Sequence, residues 1–277
     1  MPLPPLLAGQ VCAVTGGLTG IGRAIALSFL SHGAKVAVNY LASHNKDEQR
    51  LLDSLREDAV AAIKSRDQSS IISAEDLPLL MVPGDISQPE TATDFVSQIV
   101  SAFGRLDTFV SNAGICKFEE FLAIKPDSFQ RHLQTNLSGA FYTVQAAAQQ
   151  MVSQSPQGGS IIGISSISAL VGGAEQCHYT PTKAGVHSLM QSTAAALGKY
   201  NIRCNSLLPG TIRTQLNEED LKDGSEKKAY MEKRIPLGLG KPEDMAGPAV
   251  WLAQPELSNY VSGAQILVDG GAYVNFQ

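Results

Sequence analysis

Short, wholly apolar runs alternate with longer segments of helical periodicity along the entire chain. Residues 10–14, 35–39, 79–82 and 107–110 read as buried strands, as do 160–164, 202–207 and 265–268. Between them the apolar spacing predicts helices at 21–30, 91–103, 128–151, 182–199 and 242–252. Strands without a polar face must be covered on both sides, and repeated strand–helix alternation makes them parallel. Right-handed crossovers then lead to one α/β unit, a Rossmann-type doubly wound parallel sheet flanked by helices on both faces.

No internal repeat or Gly/Ser linker interrupts this pattern, so residues 1–277 are expected to form a single domain. Two polar stretches depart from it. One, at about 41–80, is long enough for a helix near 47–64 plus an extra loop, and reads as a surface insertion. The other, at about 213–234, follows a strand end, where α/β enzymes place their ligands, and reads as a lid.

Composition narrows the function classes. Hydrophobic residues make up 44% and charged residues 17%, enough for a large core. A net charge of -5 offers no basic footprint for nucleic acid or an anionic membrane, so neither is expected as a partner. Cys12, Cys116, Cys177 and Cys204 form no C-x-x-C pair. Free thiols in a reducing compartment are the expected state, with two disulfides as the alternative. The five histidines lack ligand spacing, so no metal is expected. The N-terminal residues 1–7 have no basic region and no long apolar core, and no run approaches the roughly 18 apolar residues of a membrane span. A soluble, cytoplasmic protein is the expectation.

Chemistry concentrates in three places. The first is Thr15-Gly-Gly-Leu-Thr-Gly-Ile-Gly22, between the first strand and the first helix. Gly16, Gly20 and Gly22 let the backbone turn tightly and approach a pyrophosphate, and the helix N-terminus attracts it. Leu18, Thr19 and Ile21 complete this cofactor-binding segment. The second is the end of strand two, Asn39-Tyr40-Leu41-Ala42-Ser43-His44, expected to meet the adenosine ribose. It carries no acid to repel a 2′-phosphate and no Arg to hold one, although His44 or Lys46 could approach. NAD(P) is therefore the expected cofactor, with NADP permitted. The third is Ser166…Tyr179-Thr-Pro-Thr-Lys183. Tyr and Lys four apart share a helix face. A free tyrosine has a pKa of about 10, and an adjacent ammonium and a positive nicotinamide are expected to lower it. The Ser166 hydroxyl then holds the substrate oxygen.

These motifs, with Gly84-Asp85-Ile86, Asn112-Ala113-Gly114, Asn136 and Pro209-Gly-Thr-Ile-Arg-Thr214 in this order, resemble the short-chain dehydrogenase/reductase family over essentially the whole chain. The resemblance implies that Asp85 and Ile86 meet the adenine, that Asn112, Ala113 and Gly114 line the cofactor, and that Ile212 and Thr214 meet the nicotinamide carboxamide. It implies Tyr179 as acid/base, with Ser166, Lys183 and Asn136 as its catalytic partners. Asn136 would hold a water in a proton relay through Lys183. It also implies a homotetramer built on the helices at 128–151 and 182–199 and on the last strand. Ala146-Ala-Ala148 and Ala194-Ala-Ala196 offer small residues for such contacts.

Within the family, segments such as 159–173, 178–184, 202–205 and 267–277 are similar to those of fungal L-rhamnose 1-dehydrogenases. That similarity implies a sugar substrate, oxidised at its C1 hydroxyl to the lactone with NAD(P). Ser166, Ser168, Gln176, His178 and Tyr179 are the candidate substrate contacts, with Cys116 and Lys117 near the pocket; for His178 a packing role is the alternative. A carbonyl or 3-oxoacyl reductase of the same family is the other enzymatic reading. A non-catalytic nucleotide-binding scaffold is the remote one, disfavoured because both Tyr179 and Lys183 are present.

Overall fold

The computed structural model describes residues 5–43, 46–66 and 71–275. Seven parallel strands run in the order β3-β2-β1-β4-β5-β6-β7. They are β1 (Val11–Thr15), β2 (Lys35–Tyr40), β3 (Leu79–Pro83), β4 (Thr108–Ser111), β5 (Gly159–Ile164), β6 (Ile202–Pro209) and β7 (Gln265–Val268). Every residue of β1, β4 and β6 is buried, as expected of strands covered on both faces. Val14 pairs with Val38 of β2 on one side and Val110 of β4 on the other, so the strand order reverses at β1. The chain leaves β1 and β4 toward opposite halves of the sheet there, and the crevice between those departures is the natural ligand position.

Two apolar layers flank the sheet. One packs α1 (Gly20–Ser31), α2 (Lys46–Arg66) and α8 (Ala246–Ala253) around Ile25, Phe29, Leu55 and Leu252. The other packs α3 (Pro89–Phe103), α5 (Gly139–Ser153) and α6 (Thr180–Leu197) around Phe95, Phe109, Met151 and Ile161. Helix α2 occupies the polar insertion. It buries Leu52, Leu55 and Ala59, and Arg23 of α1 reaches across to Asp58 at 2.7 Å and Ser54 at 2.8 Å. No helix among the described residues is long and apolar enough to cross a membrane.

Three expectations change. The single helix read at 128–151 is α4 (Pro126–His132), a π-helical turn (Leu133–Ser138) and α5. One wider turn barely disturbs apolar spacing, so it leaves little trace in the pattern. The segment at 213–234 contains a helix, α7 (Glu226–Arg234), which buries no residue and so has no apolar stripe to read; the short α9 (Pro255–Ser258) completes the set. Finally, Ala146, Ala147 and Ala148 are buried within the chain at 7%, 0% and 8% exposure. Their small size serves internal packing, so they are not available for contacts between subunits. Ala195 and Ala196 are exposed.

Candidate active site

The glycine turn follows from β1 and ends on α1. Gly16 (φ 63°) and Gly20 (φ 56°) are left-handed, a conformation that side chains other than glycine's strain to adopt. Gly22 has a different reason. A Cβ there would strike the Gly16 carbonyl and the Asn112 amide. That amide is committed: Asn112 Nδ2 donates to the carbonyls of Thr15 (2.9 Å) and Gly16 (3.2 Å). In return Thr15 Oγ1 accepts from the N–H groups of Asn112 (2.9 Å) and Ala113 (3.0 Å). The end of β4 is thereby stitched to the turn. Thr19 caps α1 without a side-chain hydrogen bond, and no acid stands in the first turn. The helix amides thus remain open to an anionic ligand, which fits a dinucleotide pyrophosphate.

A single cleft of ≈ 1440 Å³ runs from this turn across the strand ends. Leu18, Thr19 and Ile21 line it beside Asn39, Tyr40, Asp85 and Ile86. So do Asn112, Ala113 and Gly114, then Ser166, Ser168, Gln176, Tyr179, Lys183, Ile212 and Thr214. Sequence-distant residues expected to act together do converge. Asp85 Oδ1 accepts from Ser87 N–H at 2.9 Å, which fixes the carboxylate by its turn.

At the end of the cleft expected to meet the adenosine, the picture changes. Asn39 is 1% exposed, and its amide donates to the carbonyls of Gly84 (3.0 Å) and Val82 (3.4 Å). It is a structural staple. An acid does reach this end, from α2: Glu48 lines the cleft and accepts from Ser43 N–H at 2.6 Å. The strand end itself carries no acid, as expected. The carboxylate arrives from a helix rather than from the strand end. His44 lies outside the described residues, as does the side chain of Lys46.

The chemical end is built on β5 and α6. Ser166 caps a short 3-10 turn, its Oγ accepting from Ser168 N–H at 3.1 Å, and it lines the cleft together with Tyr179. Lys183 Nζ is buried, donates to the Ile164 carbonyl at 3.0 Å and sits 5.7 Å from the Tyr179 ring centroid. Burial pulls Lys183 down to about 8 and pushes the Tyr179 phenol well above its ordinary range, with the Cys116 thiol adding to the rise and Ser166 opposing it. The protein alone therefore moves Tyr179 upward, against the lowering expected from the sequence. Asn136 sits in the π-helical turn, below the cleft floor. Its Oδ1 accepts from Ile115 N–H (2.8 Å), and its Nδ2 donates to Ile115 C=O (2.9 Å) and Thr182 Oγ1 (3.1 Å). The wider turn sets the side chain across both backbone groups of one residue.

Beyond Tyr179 a polar chain lines one wall: Ser168 Oγ donates to Gln176 Oε1 (3.4 Å), and Gln176 Nε2 approaches Cys116 Sγ (3.4 Å). His178 does not join it. It is 1% exposed and faces away from the cleft, its ring 4.1 Å from that of His132 and its Nε2 3.3 Å from Glu119. The packing alternative for His178 replaces the substrate contact. Alternation along the α6 entry separates neighbours, putting Tyr179 in the cleft and His178 behind it.

Known proteins are similar to this chain in sequence and in fold. A family model described as enoyl-(acyl carrier protein) reductase matches residues 59–273. The chain is 58% identical over 273 residues to an L-rhamnose-1-dehydrogenase of Scheffersomyces stipitis, covering 98% of this chain and 99% of that one. It is 55% identical to an L-rhamnose 1-dehydrogenase (NAD(P)(+)) of a Sphingomonas species, with the same coverage. The crystal structure of a short-chain type dehydrogenase/reductase from Mycobacterium marinum superposes with a TM-score of 0.83 at 33% identity, covering 96% of each chain. The chain belongs to the short-chain dehydrogenase/reductase family. In this short-chain dehydrogenase/reductase the cleft also takes in Phe118, Asp220 and Lys227. The motifs did not point to these three. They lie on loops and on a polar helix, and only the folded chain brings them together.

Proposed function

We propose that the protein is an NAD(P)-dependent L-rhamnose 1-dehydrogenase that oxidises the sugar's C1 hydroxyl to the lactone. The observation that carries this reading is the full-length identity to the two relatives described above, joined to a Ser166–Tyr179–Lys183 group in the same cleft as the glycine turn. Gly16, Gly20 and the amides of α1 would hold the pyrophosphate. Asp85 and Ile86 would meet the adenine, and Ile212 and Thr214 the carboxamide. The oxidised nicotinamide, when bound, would supply the hydride acceptor and a positive charge that favours a phenolate.

The chain's own residues do the rest. Tyr179 Oη takes the C1 hydroxyl proton as the hydride leaves with its electron pair, so the carbon becomes a carbonyl. Ser166 Oγ donates to the substrate oxygen and holds it against Tyr179. Lys183, positioned by the Ile164 carbonyl, stabilises the phenolate and grips the ribose. Asn136 would hold a water that carries the proton on from Lys183; a Cβ on Gly114 would stand 3.1 Å from Asn136 Oδ1 and 3.4 Å from Lys183 Nζ, so the two residues lie side by side. Ser168 and Gln176 supply hydroxyl partners that suit a pyranose better than an acyl chain. The reading includes a homotetramer and a cytoplasmic location, the latter supported by four free thiols, of which Cys12 and Cys204 are buried.

Initial-rate oxidation of L-rhamnose, D-glucose and other aldoses, with NAD and with NADP, tests the assignment. Activity on L-rhamnose with little on D-glucose is expected. Turnover of D-glucose or reduction of an acetoacetyl thioester, with none of L-rhamnose, would overturn it.

A further inference from the structure

The mouth of the cleft holds a junction that the chemistry above does not use. Lys227, near the start of α7, places Nζ 3.7 Å from the centroid of the Phe118 ring. The same ammonium lies 2.8 Å from Asp220 Oδ1 and 3.5 Å from Glu175 Oε2. These partners belong to different parts of the rim. Phe118 follows β4, Glu175 leads into α6, and Asp220 stands in the polar segment with Lys227 itself. The first two are also tied to each other, since Glu119 N–H donates to the Glu175 carbonyl at 2.9 Å. One charge thus spans the opening from the 213–234 segment to the opposite lip.

The segment carrying Lys227 closes several of its polar groups on itself. Asn217 closes its first turn, accepting from Thr214 N–H (2.9 Å) and donating to the Ile212 carbonyl (2.8 Å). Ser225 caps α7 by accepting from Lys228 N–H at 3.1 Å, and Lys228 pairs with Asp223 at 2.6 Å. Leu221 and Ile235 are buried on either side of α7, whereas α7 itself buries nothing. An element with internal polar closure and no buried face is held to the body by its few docking contacts, and it opens at low cost when they are lost. An exposed ion pair holds little by itself. Lys227 differs: its side chain is only 31% exposed, and it combines an aromatic face with two carboxylates.

We propose that Lys227 is a positioning residue, the latch that holds the 213–234 segment closed over a bound sugar. The inference rests on the dehydrogenase reading for its substrate, and its test is chosen to separate the two. Wild type, Lys227→Met and Lys227→Arg are compared as holoenzymes. Methionine keeps the stem and removes the charge, while arginine keeps a cation for both carboxylates and the ring. The expected result for Lys227→Met is a KM for L-rhamnose raised about fivefold or more with kcat changed less than about twofold, the pattern of lost binding rather than lost chemistry. Amide exchange across 213–234 should quicken in the cofactor-bound protein, and Lys227→Arg should restore both properties. Unchanged KM overturns the proposal. Raised KM with unchanged exchange also overturns it, since that is the mark of a direct sugar contact. If L-rhamnose proves not to be turned over at all, the exchange comparison needs no sugar and still decides: equal exchange in wild type and Lys227→Met sinks the latch.

Discussion

The acid/base role of Tyr179 makes two demands that can be measured separately. Tyr179→Phe should lower turnover by roughly 10²-fold or more, the scale of a lost acid/base group, while cofactor titration stays near wild type. Near-normal turnover would remove the role. Oxidation needs the phenolate, so kcat/KM for oxidation should rise with pH as Tyr179 loses its proton. Burial drives that group upward, which places the rising limb on the alkaline side unless bound cofactor offsets it. Lys183→Met removes a cation that favours the phenolate, so the limb should move to higher pH; a limb that stays put would show that Lys183 does not tune Tyr179. For cofactor choice, the residue to test is one the strand pattern did not indicate. Asp at position 39 would lose the donor that bridges Val82 and Gly84 and set a charge against two carbonyls, so it would test stability rather than selectivity. Glu48→Gln is the informative change. Removing a carboxylate from the adenosine end should lower the KM for NADP relative to NAD, and an unchanged ratio would place Glu48 out of reach of the 2′-phosphate.

At the scale of elements, the glycine turn was legible because its chemistry is local. A strand, three glycines at fixed spacing and a helix leave few other structures. Even so, part of the reason for Gly22 came from elsewhere in the chain, since a side chain there would strike Asn112, 90 residues away, as well as the nearby Gly16 carbonyl. Gly22→Ala should abolish cofactor binding and cost stability, because neither the Gly16 carbonyl nor the stapled Asn112 amide can retreat. Gly247→Ala is the matched control. It lies in α8 with nothing within 4 Å of its added Cβ, and helical alanine is preferred over glycine by roughly 0.5–1 kcal/mol. Thermal unfolding should therefore separate the two in opposite directions, and a destabilised Gly247→Ala would contradict the open space at that site. The π-helical turn at Leu133–Ser138 and helix α7 were not legible. The first hides inside continuous apolar spacing, and the second has no apolar face.

At the scale of the molecule, the exposed surface retains features that suit association even after the buried alanines of α5 are set aside. Phe141 of α5 is 45% exposed, and β7 stands at the sheet edge, where a further strand could pair. A tetramer by light scattering at micromolar concentration is the expected outcome, and a monomer would remove the assembly proposal. Apolar periodicity in the sequence determined the strands, their parallel arrangement and the class of fold, because burial on both faces imposes a pattern that each strand carries alone. Fixed local spacing likewise determined the glycine turn and the Tyr179–Lys183 pair. What only the tertiary structure decided depends on which surfaces meet. Tyr179 faces the cleft while its neighbour His178 is sealed behind it, Glu48 arrives at the adenosine end from a helix, and Lys227 closes the mouth between loops from three parts of the chain. Those outcomes are set by distances between segments far apart in sequence, and no periodicity along the chain encodes them.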